Sequence, residues 1–173
     1  MSISFLLNID IAKPCPESHR YEGISYYTDD PELSKIEIGL IKFCHEYDSD
    51  VLMFFGERRM AIKLWHDVWD LITYDIITVI SNSRNERKMS FDFIDYGCVI
   101  SSCEYEDNTV KLKCREQGKI CKEYFTKCDT NALIDELIKL VRDILTLAVK
   151  GGYVDREDSI EFLSKLEAAD DSL

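Results

Sequence analysis

The spacing of apolar residues changes several times along the chain, and each change marks an element. Ile3, Phe5, Leu7, Ile9 and Ile11 share one parity, the period of a half-buried strand. All three prolines, Pro14, Pro16 and Pro31, fall in the polar, turn-rich stretch that follows; it reads as a loop with a short strand around Ile24–Tyr27. Ile36, Ile38 and Leu40 alternate again and predict another strand. After a turn over Glu46–Asp50, the apolar run Val51–Phe55 predicts a buried strand ending at Gly56.

The segment Ile62–Ile80 then changes to a helical period. On a wheel of about 100° per residue, Leu64, Trp65, Val68, Trp69, Leu71, Ile72, Ile76, Val79 and Ile80 share a wide apolar arc. Lys63, Asp67, Asp70, Tyr74 and Thr78 lie opposite. Asp75 falls inside the apolar arc and Ile77 on the polar side. Both misfits lie in the β-branched stretch Tyr74–Ile80, so a helix that stops near Thr73 and yields to a strand competes with one continuous helix. The continuous helix accounts for more of the positions.

Short alternating runs resume at Phe91/Phe93, Val99–Tyr105, Val110/Leu112/Cys114 and Ile120–Lys127. They are separated by turn signals at Asp107–Asn108 and Glu116–Lys119, the pattern of an antiparallel meander. Asp129 or Thr130 can cap a helix over Asn131–Lys150 with the stripe Leu133, Leu137, Leu140, Val141, Ile144 and Ala148. Gly151 is placed to end it in the left-handed conformation. Asp155 opens a last helix with Ile160, Leu163 and Leu166 inward. The order predicts an α+β fold: an antiparallel or mixed β-sheet with a β-meander, packed against one central and two C-terminal helices. At 173 residues the chain reads as a single globular domain, 1–173.

Composition narrows the function. A net charge of −12 disfavours direct nucleic-acid binding, which depends on basic side chains, and favours basic partners. The charge is unevenly placed. Residues 91–107 carry −5 and residues 109–127 carry +4, so neighbouring strands should pair their charges. The uncompensated charge falls in residues 1–56, at −6, and 154–173, at −5. If a basic partner docks, Asp29, Asp30, Glu32, Glu46, Asp48 and Asp50 are the candidate contacts. Seven cysteines without a preceding basic, apolar leader predict reduced, mostly buried thiols in a cytoplasmic protein. No run is long and apolar enough to predict a membrane span.

Chemistry-bearing motifs are sparse. His66 and Asp70, at i and i+4, form half of a general base, but nothing ties a nucleophile to them and a surface pair accounts for the spacing. Cys114, Cys121 and Cys128 recur every seven residues without a tight ligand pair, so no metal is expected. Gly56-Glu57-Arg58-Arg59 sits where a strand-to-helix turn is predicted; one glycine is far from a phosphate cradle, and Arg58 and Arg59 are expected to pair with local carboxylates. Trp65 and Trp69 are read as core packing rather than as a binding hot spot. No cofactor and no enzymatic activity are expected.

The segment Asp50–Ile72, read as a strand, a short turn and a helix with a Trp-x-x-x-Trp-Asp pattern, followed by a meander, resembles immunity proteins of bacterial polymorphic toxin and contact-dependent growth inhibition systems. The resemblance implies a protein that binds one cognate toxin domain, often a basic nuclease, and blocks its active site or substrate access. A non-catalytic adaptor that binds a basic partner through the same acidic surface is the alternative.

Overall fold

Ile3 and Phe5 are buried as their parity requires, in strand β1 (Ile3–Leu6), and Leu7, Ile9 and Ile11 continue the same packing beyond it. The computed structural model describes residues 3–13, 31–116 and 121–171. The expected loop and short strand over 14–30 lie outside them, as does the 117–119 part of the predicted turn.

The strand expected at Ile36–Leu40 is instead helix α1 (Lys35–Glu46). Ile36, Leu40, Phe43 and Cys44 lie on one helical face and are buried there. What decides the case is the N-terminus. Ser34 and Glu37 form a capping box: the Ser34 Oγ accepts from the Glu37 N–H (3.4 Å) and the Glu37 carboxylate accepts from the Ser34 N–H (2.7 Å). Gly39 lets this helix meet the 153–154 backbone, because a methyl group there would overlap the Tyr153 carbonyl oxygen.

Strands β2 (Asp50–Phe55) and β3 (Arg58–Lys63) form a hairpin whose two-residue turn, Gly56–Glu57, places Gly56 at φ 63°. The predicted strand-to-helix turn is thus a strand-to-strand turn. Met60 and Ile62 bury opposite Met53 and Val51, a period of two. β1, β2 and β3 make one antiparallel sheet in that order.

Residues 64–85, here α2, carry the two tryptophans. The helix expected from Ile62 starts later: Ile62 and Lys63 belong to β3, Trp65 is extended (ψ 140°), and His66 makes a kink at φ 63°. Beyond the kink come a π-helical turn, Leu71–Asp75, and an α-helical part, Ile76–Asn85. The helix continues past Thr73, so the competing strand does not form. Thr73 donates its hydroxyl to the Trp69 carbonyl (3.0 Å), which loosens the backbone ladder where the π turn is inserted. The apolar arc is buried where the wheel places it, and Ile77 is exposed.

β4 (Ser90–Phe93), β5 (Cys98–Glu106), β6 (Thr109–Glu116) and β7 (Lys122–Asp129) form the expected meander, antiparallel throughout. Its outer face carries the predicted pairing of the acidic and basic runs, Lys111–Glu104 (2.9 Å) and Lys127–Glu106 (3.1 Å), and a further pair within the basic run, Lys113–Glu123 (3.8 Å). Asp129 caps α3 (Thr130–Lys150) by accepting from the Ala132 N–H (3.0 Å), and the predicted stripe is buried. Gly151 keeps φ −80° and Gly152 takes the left-handed turn at φ 79°. In α4 (Arg156–Asp171) Leu166 is buried and Leu163 partly so, while Ile160, expected inward, is exposed.

The two sheets are joined by Arg58, whose Nε donates to Glu116 (3.0 Å) and whose guanidinium stacks on Tyr124 at 3.9 Å. Its partner is on the other sheet, not local as expected. No helix among the described residues is long and apolar enough to cross a membrane.

Candidate functional site

The carboxylates singled out from the sequence are held by the fold itself. Glu46 accepts from the Tyr153 hydroxyl. Asp48 accepts from the Trp65 backbone N–H at 3.1 Å, and Asp50 pairs with Lys63 at 2.7 Å. Glu32 is exposed just ahead of α1. Asp29 and Asp30 lie outside the described residues. Glu46, Asp48 and Asp50 thus orient neighbouring elements and share their charge with donors of this chain.

A second set of acids, including Asp70, expected as a surface partner of His66, and Asp75, the misfit of the apolar arc, converges where α2 meets β4 and the turn after it. Asp67 is 1% exposed, although the wheel places it on the polar side. One of its oxygens accepts from the Lys63 N–H (3.0 Å) and the other from the Asp95 N–H (2.8 Å), so it ties the end of β3 to the β4–β5 turn. Burial raises its pKa, and the charge of Asp95 adds to the rise against those backbone donors. Asp70 is pushed up to about 6, by burial first, with the negative charges of Asp75, Asp67 and Asp95 adding to it and His66 opposing. Burial and then Asp92 raise Asp75, and burial raises Asp92 itself. His66 is the cation that acts on Asp70, and burial outweighs it. These charges are therefore held together at a cost to the fold.

Aromatic rings lead from the core to this surface. Trp65 and Trp69 are 5% and 2% exposed, as expected of core residues, and stack at 5.4 Å with 23° between planes. Trp69 meets the edge of Tyr74 at 5.6 Å, and Tyr74 is 59% exposed. Ile94, beside Asp95, is 65% exposed. His66, next to Trp65, has φ 63° and ψ −69°, a strained conformation close to that of a tight γ-turn. Strain of this kind and π-helical insertions both recur at functional sites. Asp75 lines a groove of about 450 Å³ between α2 and the meander, with Thr78, Asn82, Lys88, Ser90 and Ser102.

The arrangement suits recognition of positive charge: an exposed aromatic and an exposed aliphatic side chain among four carboxylates, Asp70, Asp75, Asp92 and Asp95. Part of it was readable, since Asp92 alternates outward between Phe91 and Phe93, and Asp70 and Tyr74 share the polar side of the wheel. What no sequence period reveals is that 67–75 and 92–95 meet. No protein-family model, curated protein or solved structure matches the chain. Among the described residues no group of three or more His, Cys, Asp or Glu is placed to hold a metal ion.

The raised acids make stability depend on pH. An acid whose folded pKa is raised contributes stability that is fully present below its unfolded value of 3.8 and is lost as pH rises through about 6, for Asp70. Asp67, Asp75 and Asp92 act in the same sense. Asp70→Asn is therefore expected to stabilise the protein near neutral pH by on the order of 1–3 kcal/mol, and to have little effect near pH 4. Urea unfolding at the two pH values checks this; equal stabilisation at both would assign the effect to packing rather than charge.

Proposed function

We propose that this protein is a bacterial immunity protein that binds a cognate toxin domain, a basic nuclease, and blocks its active site or access to its substrate. It acts without catalysis, as a cytoplasmic inhibitor. The observation that carries the reading is the set of carboxylates at the α2–β4 junction, kept in proximity at a cost in stability beside the exposed Tyr74 and Ile94. A surface that sacrifices stability in this way is expected where binding needs the charge. Tyr74 supplies an aromatic anchor of the kind enriched in binding hot spots, and the net charge of −12 supplies long-range steering. The choice of a toxin as partner rests on the resemblance of the Asp50–Ile72 segment. An adaptor that binds another basic protein would use the same surface.

The test is co-expression. The toxin domain encoded beside this gene is expressed in one cell with and without this protein. Growth arrest by the toxin alone, relieved by this protein, is the expected outcome. Arrest that persists, or a gene with no toxin neighbour, favours the adaptor.

A further inference from the structure

We infer that Cys98 and Cys114 are an oxidisable pair that closes to an intramolecular disulfide across β5 and β6. Cys98 stands opposite Glu116 and Cys114 opposite Ile100, so the two cysteines are diagonal neighbours on the inward face of the meander, within reach of one another. Their sulfurs lie 2.7 Å apart. Cys103 and Cys121 are exposed and Cys44 and Cys128 are buried; none of these is in sulfur contact with another described cysteine. Either sulfur can donate to the other across this contact, so the sulfur that reacts first is whichever carries the thiolate.

The oxidant is a peroxide, which reaches the buried pair by local opening of the fold. The thiolate of one cysteine of the pair attacks one peroxide oxygen; the O–O bond breaks and the second oxygen leaves as water after protonation. This forms a sulfenic acid on that cysteine. The sulfur of the other cysteine gives up its proton and attacks the sulfenic sulfur, the S–S bond forms, and the hydroxyl leaves with that proton as a second water. Two thiols and one hydrogen peroxide become one disulfide and two waters. The consequence is a covalent link at the end of the meander where Glu116 receives Arg58, beneath the strand that carries Asp92. In a reducing compartment the pair stays as thiols, and the link forms on oxidation.

The experiment treats the folded full chain with hydrogen peroxide, removes the peroxide with catalase, and unfolds and alkylates without reductant before tryptic mapping. The expected product is one cross-linked peptide pair containing Cys98 and Cys114, lost on reduction, with Cys44 and Cys128 alkylated. The same product is expected from the Cys103→Ser/Cys121→Ser variant. Its melting temperature should rise on oxidation and return on reduction. Alkylated Cys98 and Cys114, or the two oxidised separately to sulfinic acids while Cys103 and Cys121 react, would overturn the inference.

Discussion

Trp69→Ala is expected to destabilise the protein by about 3–5 kcal/mol, the range for truncating a large buried aromatic side chain. Trp69 is 2% exposed and lies between the ring of Trp65 and the edge of Tyr74. Its removal leaves a cavity beside the Trp65 ring, and the start of α2 is pinned by the Asp67 carboxylate to Lys63 and Asp95, which limits collapse into it. A melting-temperature fall of roughly 6–20 °C corresponds to that loss in a domain of this size. Calorimetry or urea unfolding measures it. An unchanged melting point would mean that the indole contributes little to the core. Trp69→Phe should recover much of the loss, since an aromatic ring remains to pack in the same place.

Reversing charge at the α2–β4 junction should produce the opposite pattern: weaker binding from a fold that is no less stable. In Asp92→Lys/Asp95→Lys two new ammonium groups enter a region where Asp70 and Asp75 are held with raised pKa. The self-repulsion falls, and the backbone N–H of residue 95 still serves Asp67. Binding to the proposed toxin partner should fall by about 2–5 kcal/mol, or roughly 30- to 5,000-fold in Kd, if these carboxylates are desolvated at the centre of the complex. Carboxylates at the rim would instead show a reduced on-rate, with a difference that shrinks as salt is raised. Surface plasmon resonance at several ionic strengths separates the two. Unchanged Kd and on-rate at low salt would remove this surface from the interface. Charge reversal at Asp48 and Asp50 is the comparison: Asp48 holds the Trp65 N–H and Asp50 pairs with Lys63, so replacing them is expected to disturb the fold locally as well.

Local signals were enough for much of the architecture. The alternation of Val110, Leu112 and Cys114, the turn at Asp107–Asn108, the Asp129 cap and the α3 stripe each depend on residues within a few positions of one another. The opposite charges of adjoining meander strands predicted the lysine–glutamate pairs for the same reason, since strands next to each other in sequence became neighbours in the sheet. The wheel also found the buried side of α2 beyond His66, because a helix in contact with a core must show its period; Leu64 and Trp65 are buried ahead of the kink without being part of it.

Where two periods coincide, something other than the period decided. Ile36, Ile38 and Leu40 fit a strand, while Ile36, Leu40 and Phe43 fit a helix; the capping box at Ser34–Glu37, a local signal, and the close tertiary approach of Gly39 to Tyr153 select the helix. Arg58–Lys63 could begin the next helix or pair backwards, and the Gly56–Glu57 turn commits it to β2. Asp67 looks like a surface residue in one dimension, yet a backbone donor four residues back and another from the distant β4–β5 turn hold it in the interior. The acidic surface belongs to this last kind. By itself the sequence determined how many carboxylates the chain has and on which side of each element most of them fall. Which of them find donors and which are left facing one another depended on 67–75 meeting 92–95, because electrostatic energy follows distance through space and burial, and neither is encoded in the local period of the chain.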